Sequence, residues 1–474
     1  MLNKSIYMLI AIVLIVISSC KAPDLGRQEV NKNVPESFGN SADSTNSGML
    51  RWKEFYEDPY LVALIDSAIS NNQELNIVLQ EIAVSQNEVM AKKGEILPSA
   101  GVNLGAGVDK VGRYTAQGAM EATTDIEPGE EMPEPVPDYI VGIKATWEVD
   151  IWRKLRNSRD AATKRFLASN EGKNYMVTNI VAEIAENYYD LLALDNQLAI
   201  LNQNIEIQSN ALEIVKLQKE SAKATELAVK KFEAEVLKTK SLQFLVKQKI
   251  LETENKINFL VGRFPQHVDR SSIEFLSLTP TNIQEGVPTQ LLDNRPDIRQ
   301  AENLLEASKL DIKIAKADFY PKLEIGAQTG INALNPKYII KPQSIIYNAV
   351  GELMAPLINR KAIKARYYSA NSKQIQAMYE YEQTLLKAYI EVANQLANID
   401  NLGKSYELKA QQVEALSESI RISGDLFASA RADYMEVLMT QRDVLEAKFE
   451  LIDTKKEQMV AMINAYRALG GGWK

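Results

Sequence analysis

Apolar residues recur every three or four positions along residues 178–264, and no glycine or proline interrupts this stretch before Gly262. A mean step of about 3.5 residues is the period of a coiled coil. The pattern breaks at residues 222–225 and then resumes, so the sequence predicts a long antiparallel helix hairpin over about residues 157–263. At 1.5 Å per residue, an arm of roughly 65 residues extends on the order of 100 Å. The apolar positions of the first arm are Ile180, Ile184, Tyr188, Leu191, Leu194, Leu198, Leu201, Ile205, Leu212 and Val215.

The hairpin pattern occurs twice. Residues 219–234 read KESAKATELAVKKFEA and residues 426–441 read LFASARADYMEVLMTQ, and their small residues align at a numbering offset of about 208. Closer to the start of each half the offset is about 223. The difference of 15 fits an extra-long loop in the first half, at residues 112–137. Such self-similarity predicts one structural unit duplicated in tandem, with a second hairpin over about residues 360–469.

Four segments between the helices change from a period of 3.6 to a period of 2, which is the period of a β-strand. Each segment has about 10 residues, a length that suits a tilted strand crossing an outer membrane. Tyr139 and Trp147 lie at the two ends of one segment, where interfacial aromatic residues belong. The predicted strands lie at about residues 100–110, 138–148, 322–333 and 344–355.

A sheet of four strands cannot close into a barrel, and open sheet edges are not tolerated in lipid. If these strands span a membrane, the barrel has to be shared between copies of the chain. The alternative is a half-buried sheet of a soluble protein with one polar face. The features of the N-terminus and the long helices argue against that alternative.

The first 20 residues have the features of an export signal. Lys4 is followed by a short apolar core, which ends in Ile17-Ser18-Ser19-Cys20. This ending is similar to the lipobox of bacterial lipoproteins, in which the cysteine becomes the lipidated first residue. Cys20 is the only cysteine of the chain, so we expect residues 1–19 to be a lipoprotein signal peptide and residues 20–50 a lipid-anchored linker. The alternative is an ordinary signal peptide with a chance cysteine.

Composition excludes several classes of function. The chain has 474 residues, 46% of them hydrophobic, and a formal net charge of −8 without a strongly basic block, so nucleic acid is not an expected partner. The single histidine, His267, and the single cysteine argue against a His/Cys metal site and against histidine-based catalysis. We find neither a phosphate-binding loop nor a nucleophile elbow, and so we expect a protein that is not an enzyme and that carries no cofactor besides a covalent lipid on Cys20.

Several short motifs, in order along residues 52–473, resemble those of the outer-membrane efflux proteins of the TolC family. More closely, they are similar to its lipoprotein branch, the outer-membrane channels of tripartite multidrug pumps of the RND type. The motifs are LLDNRPDI at residues 291–298 with Ala301-Glu302, WEVDIW at 147–152, PLINR at 356–360 and ALGGGW at 468–473.

The resemblance implies a mainly α fold with membrane β-strands. Three chains would form a 12-stranded outer-membrane β-barrel and a tube of coiled-coil hairpins that crosses the periplasm. A small mixed domain around the middle of the tube would take residues 21–60, residues 264–290 and the extreme C-terminus. The implied organisation is a first repeat at residues 51–265, an equatorial connector at residues 266–290 and a second repeat at residues 291–474.

The function implied by the resemblance is passive conduction of small molecules, such as drugs or other toxic compounds, from the periplasm to the exterior. The implied partners are two further copies of the chain, a periplasmic adaptor protein, an inner-membrane RND-type pump and outer-membrane lipid. Two alternatives stay open, namely the channel of a type I protein secretion system and, in a different class, a periplasmic adaptor or scaffold lipoprotein. An adaptor normally has one hairpin, and it leaves the paired strands unexplained.

The hairpin turns would form the periplasmic tip and gate of such a channel. Alanine stands at positions 222 and 430, where the family usually has glycine, and alanine is less able than glycine to adopt a positive φ. Glu436 aligns with an acidic residue that can line the constriction, and threefold symmetry would make it a ring that favours cations. The alternative is an ordinary surface glutamate. The tip candidates are Ala222, Lys223, Ala224, Thr225, Ala430 and Ala432, and the gate candidates are Glu436 with Arg431 and Asp433, which would form ion pairs holding the gate shut.

Overall fold

The computed structural model describes residues 22–26, 30–38, 45–271, 275–356, 358–429 and 431–474. The predicted signal peptide, the lipidation candidate Cys20 and the tip candidate Ala430 lie outside the described residues. Within the described ranges, the helices lack the combination of length and apolar character that crossing a bilayer requires.

Helices dominate the described part of the chain. Short 3₁₀ turns occupy Ser47–Met49, Phe275–Ser277, Pro288–Gln290, Pro336–Tyr338 and Pro342–Ser344. In chain order the helices and strands are α1 (Trp52–Phe55), α2 (Pro59–Asn71), α3 (Gln73–Gly94), β1 (Ser99–Asp109), α4 (Ala116–Glu121), β2 (Asp125–Glu127), β3 (Glu130–Glu131), β4 (Val136–Val149), α5 (Lys154–Glu220), α6 (Glu226–Val261), α7 (Leu291–Asn294), α8 (Pro296–Ala317), β5 (Lys322–Ala333), β6 (Ile345–Met354), α9 (Lys361–Ala428) and α10 (Tyr434–Ala468).

The two halves of the chain repeat the same elements, which confirms the predicted duplication. Helices α3 and α8 have 22 residues each, and the long helices α5 and α9 have 67 and 68 residues. Their hairpin partners α6 and α10 have 36 and 35 residues. The connection between the two long strands is 15 residues longer in the first half, at residues 110–135, than in the second, at residues 334–344. The mainly helical fold with four long strands is therefore the predicted one.

The described residues up to 29, Val84–Phe166 and Asn303–Met378 form the first of two compact units. Its main feature is a four-stranded antiparallel sheet in the order β1-β4-β5-β6. In both repeats the strands of the sheet connect to helices. A small apolar core around Phe319 and Tyr367 packs between α8 and α9. Ala22 and Leu25 of the predicted linker pack against this core. The described part of the linker therefore packs against α8 and α9.

The second unit comprises Val30–Ala83, Leu167–Glu302 and Tyr379–Lys474, and it holds the largest apolar core. Segments that are distant in sequence meet in this core, in a region that we call the junction and define as residues 45–72, 257–271, 275–298 and 462–473. The Ser47 N–H donates to the carbonyl of Gln284 at 2.9 Å, and the Tyr466 hydroxyl donates to the carbonyl of Leu50 at 2.7 Å. The rings of Phe55 and Tyr466 stack with centroids 3.9 Å apart.

Candidate functional site

The four-stranded sheet has one apolar face, because the strand register places residues of like character side by side. This face is uncovered in the single chain, with Leu104 72% exposed and Tyr347 86% exposed. Exposed apolar area of this extent marks a surface made for lipid or for another protein. One row of the face takes an aliphatic residue from every strand, namely Leu104, Val141, Ile331 and Ile345.

The opposite face of the sheet carries glycines and polar or charged side chains. Strands β1 and β6 are the two outermost strands, and each pairs on one side only. A sheet that alternates in this way, with lipid-compatible residues on one face and polar ones on the other, has the pattern of a barrel wall around a water-filled lumen. Two polar rows are Lys144 with Gln328 and Asn348, and Glu148 with Glu324 and Glu352.

The turn between α5 and α6, which we call the first tip, is closed by local bonds. The Lys223 N–H donates to the carbonyl of Gln218 at 2.8 Å, and the Thr225 hydroxyl accepts from the Ala228 N–H at 3.2 Å. Lys219 and Glu226 form an ion pair across the turn. The hydrogen bond and the charge of Lys219 hold the pKa of the Glu226 carboxyl below its usual range.

The turn between α9 and α10, the second tip, repeats the backbone bond but not the side-chain bonds. The Arg431 N–H donates to the carbonyl of Leu426 at 2.9 Å. Asp433 stands at the N-cap of α10, where Thr225 stands in the first tip, but its side chain makes no capping bond. Within the described part of the chain, Arg431 and Asp433 form no ion pair.

A small apolar cluster joins the two hairpins near their tips. Phe232 is 1% exposed and Val215 is also 1% exposed, and both pack in a group that includes Leu438. Phe427 and Tyr434 of the second hairpin lie against the same cluster, as does Ala224. The tip candidate Ala224 is therefore part of the packing between hairpins.

A model of the family described as "Outer membrane efflux protein" matches residues 64–263 and 287–471 of the chain. The chain belongs to this family. It is an outer membrane efflux channel, and its two matched segments correspond to the two repeats of the structure.

Several individual proteins are similar to this efflux channel over almost their whole length. The pyoverdine export outer membrane protein OpmQ of Pseudomonas aeruginosa is 25% identical over 433 residues, which cover 91% of the chain and 89% of that protein. The probable outer membrane lipoprotein SilC of Salmonella typhimurium is 22% identical over 445 residues, which cover 93% of each. The open state of the MtrE outer membrane channel of Neisseria gonorrhoeae has the same fold, with a TM-score of 0.83, 20% identity and coverage of 95% and 98%.

The predicted tip and gate residues of the efflux channel differ in exposure and in backbone conformation. Glu436 is exposed in the first turn of α10, and its N–H donates to the carbonyl of Asp433 at 3.1 Å. Met439, one turn later, is 50% exposed. Ala222 is exposed and adopts a φ of 61°, so alanine takes the conformation that the sequence disfavours, held there by the bonds that end α5. Lys223 and Ala432 lie in the tips without buried side chains.

Sequence reasoning assigned no role to Arg295, which lies inside the LLDNRPDI motif. Its side chain is 6% exposed and forms ion pairs with Asp297 at 2.7 Å and Glu391 at 2.9 Å. It also donates to the carbonyl of Ala468 at 2.9 Å. Burial lowers the pKa of Arg295, but the hydrogen bonds and charges of the two carboxylates outweigh burial and raise it. The indole N–H of Trp473 donates to the carbonyl of Asn294 at 3.2 Å, so two motifs used for the resemblance hold each other in place.

Proposed function

We propose that three copies of the chain close their sheets into one 12-stranded barrel in the outer membrane. The observation that carries this proposal is the four-stranded sheet, with its uncovered apolar face and its two unpaired edges. Unpaired backbone groups in lipid are expensive, and closure removes both edges at once. The efflux channel would then be a homotrimer, with the polar face of each sheet toward the lumen.

The hairpins of the three copies would form the periplasmic duct, and the second tips would form its gate. This assignment is supported by the contrast between the tips, since the second tip leaves Arg431, Asp433 and Glu436 without capping bonds or ion pairs in the described chain. Arg431 and Asp433 would pair between copies when the gate is shut. Three Glu436 carboxylates would ring the constriction, favouring cations.

The channel would serve as the exit duct of a tripartite pump, together with a periplasmic adaptor and an inner-membrane transporter of the RND type. Its role would be passive conduction, without an enzymatic step. The names of similar proteins cover different cargoes, including pyoverdine export for OpmQ and cation efflux for CusC of Escherichia coli. Because a duct of this kind conducts what the pump delivers, the cargo of this chain is a small molecule set by the transporter. A covalent lipid on Cys20 would anchor the chain in addition to the barrel.

The first test is the mass of the detergent-extracted particle from separated membranes. We expect about three times the chain mass of 53.0 kDa, in the outer-membrane fraction. A monomer, or a particle released without detergent, contradicts the shared barrel.

A second test addresses the unpaired edges directly. Asn103 on β1 and Asn348 on β6 both lie on the polar face of an edge strand. In a Cys20→Ser background, the variant with Asn103→Cys and Asn348→Cys should give covalent dimers and trimers with a short bifunctional thiol reagent. Each single-cysteine variant is the matched control and should give no trimer. If the double variant and the single variants give equal amounts of covalent dimer and trimer, the strand edges of neighbouring copies do not pair.

The gate assignment predicts that Glu436→Gln lowers the cation selectivity of the channel reconstituted in planar bilayers. Removing three symmetric charges from one constriction should shift the reversal potential in a salt gradient toward zero. Glu446→Gln, the second carboxylate further along the same helix, is the charge-matched control. Unchanged selectivity in Glu436→Gln excludes the acidic ring.

A further inference from the structure

Basic residues concentrate where the helices of the first unit meet the sheet. Residues 153–166 and 360–373 together contain eleven Lys or Arg and one Asp, although the whole chain has a formal net charge of −8. Strands β4 and β6 end at Val149 and Met354, just before these two segments. If the strands span the outer membrane, the basic segments lie at the depth of the lipid headgroups on the periplasmic side.

Several cations near these strand ends have acidic partners, whereas others do not. Arg153, Lys313 and Lys316 are exposed and form no ion pair among the described residues. The paired cations include Lys154 with Asp318 at 2.7 Å, Arg156 with Asp150 at 2.9 Å and Arg165 with Asp311 at 2.5 Å. These three cations therefore add uncompensated positive charge to the surface near the strand ends.

The three uncompensated cations border one pocket of about 430 Å³ between the start of α5 and the end of α8. Its wall is an aromatic pair, in which Trp152 stacks on Tyr320 with centroids 4.6 Å apart. The Trp152 indole N–H donates to the carbonyl of Pro321 at 2.7 Å, which fixes the ring. Asp160 also lines the pocket, but its carboxylate is engaged by Arg159 at 2.6 Å. The pocket therefore combines a net positive rim with an amphipathic aromatic wall, as interfacial lipid sites do.

The N-terminal segment places the same lysines next to the predicted anchor. Ala22–Gly26 shares a second pocket, of about 720 Å³, with Lys313 and Lys316. Ala22 lies two positions after Cys20, and two residues span at most about 7 Å. A lipid on Cys20 would therefore be attached two residues before a pocket that these lysines line.

We propose that the pocket bordered by Arg153, Lys313 and Lys316 binds the phosphate of an anionic phospholipid in the periplasmic leaflet of the outer membrane. Guanidinium and ammonium groups donate charge-assisted hydrogen bonds to phosphate oxygens, and the aromatic pair contacts the glycerol region. Basic residues held at the headgroup level bind anionic lipid in preference to neutral lipid. This inference rests on the proposed function, because it needs the strands to span the membrane.

The test uses the full-length protein in detergent, with bound phospholipid counted by native mass spectrometry. Phosphatidylglycerol should bind at least tenfold more tightly than phosphatidylcholine. The triple variant Arg153→Gln, Lys313→Gln, Lys316→Gln should lose this preference. The control variant removes the same number of charges at exposed positions of α6, with Lys231→Gln, Lys240→Gln and Lys249→Gln. This control should keep the preference for phosphatidylglycerol. A second control retains the three charges with Arg153→Lys, Lys313→Arg and Lys316→Arg. This variant should also keep the preference for phosphatidylglycerol, which separates loss of binding from loss of folding.

Three outcomes overturn the lipid site. They are equal binding of the two lipids to the wild type, equal loss of preference in both Gln triple variants, and displacement of phosphatidylglycerol by inorganic phosphate at the same concentration, which would identify a free-phosphate site. The particle mass in the same spectra distinguishes these outcomes from failure of the proposed function. A wild-type trimer without lipid preference rejects only the lipid site, whereas a wild-type monomer rejects the shared barrel.

Discussion

The long helices end with the same backbone bond at the tips and at the junction, but the residues that allow it differ. In each case an N–H donates to the carbonyl five residues earlier. At the tips these bonds are Lys223 to Gln218 at 2.8 Å and Arg431 to Leu426 at 2.9 Å, and at the junction they are Arg263 to Asn258 at 2.9 Å and Gly471 to Tyr466 at 3.0 Å. In three of these bonds a residue with positive φ stands just before the donor.

At the junction that residue is glycine. Gly262 has a φ of 76° and Gly470 a φ of 90°. Space also demands glycine there, since a Cβ on Gly470 would lie 2.8 Å from the carbonyl of Asn294. At the first tip the residue is Ala222, which is exposed, so only the backbone conformation opposes it. The comparison indicates that the junction is built for one fixed arrangement, whereas the tip tolerates a less favourable residue because little packs against it.

The largest effect should come from the junction. Arg295→Leu leaves the half-buried Asp297 carboxylate without its ion-pair partner and should destabilise the second unit by about 3–5 kcal/mol. The measurement is the local opening free energy of the junction by hydrogen exchange. Arg421→Leu, which breaks an exposed pair with Glu418, is the control and should leave exchange at the junction unchanged. Similar exchange in both variants would mean that Arg295 does not hold the junction.

Gly262→Ala should have the next largest effect, because it adds backbone strain and a close approach to Asn71. An L-residue in the left-handed region costs about 1–2 kcal/mol. The added Cβ would also meet the Asn71 carbonyl oxygen at 2.5 Å. Exchange at the end of α6 should speed up at least tenfold. Gly403→Ala, in the open middle of α9, provides the control and should not speed exchange there.

The two tips should respond differently to loss of their N-cap residues. Thr225→Ala removes the bond to the Ala228 N–H and should weaken the start of α6 by about 1 kcal/mol. Asp433→Ala removes no capping bond. It should change the stability of the first turn of α10 by no more than about 0.5 kcal/mol, as is usual for a substitution at an exposed position. Exchange of the first turn of each helix measures both. A larger effect at Asp433 would reverse the ranking of the tips.

The smallest effect should be a gain in stability. Ala222→Gly relieves a positive φ without adding a contact, and part of the gain is offset because glycine orders more backbone on folding. We expect the first tip to become more stable by about 0.5–1 kcal/mol, seen as a few-fold slower exchange over residues 217–225. Ala211→Gly, in the interior of α5, should instead destabilise. Faster exchange in Ala222→Gly would show that the turn does not hold position 222 at positive φ in solution.

The sequence was sufficient for the elements whose period is local. The strands and hairpins could be predicted because the alternation of apolar and polar residues and the 3.5-residue apolar step each recur over about 10 to 60 consecutive positions. The role of Arg295 could not, since its contact with Ala468 joins residues 173 positions apart. The positive φ of Ala222 could not be predicted either, because alanine rarely adopts positive φ and only the hydrogen bonds that end α5 hold it there. The difference between the tips lies in single side chains, Thr225 and Asp433, both of which are good N-cap residues by type.

The bond between Arg295 and Ala468 also bears on how the protein is made. A chain exported from its N-terminus delivers Arg295 long before Ala468, and both hairpins lie on the exported part by the time Ala468 arrives. Until then the Arg295 guanidinium lacks this carbonyl as a hydrogen-bond acceptor. The junction is therefore completed only when the last helix of the second repeat, α10, is in place.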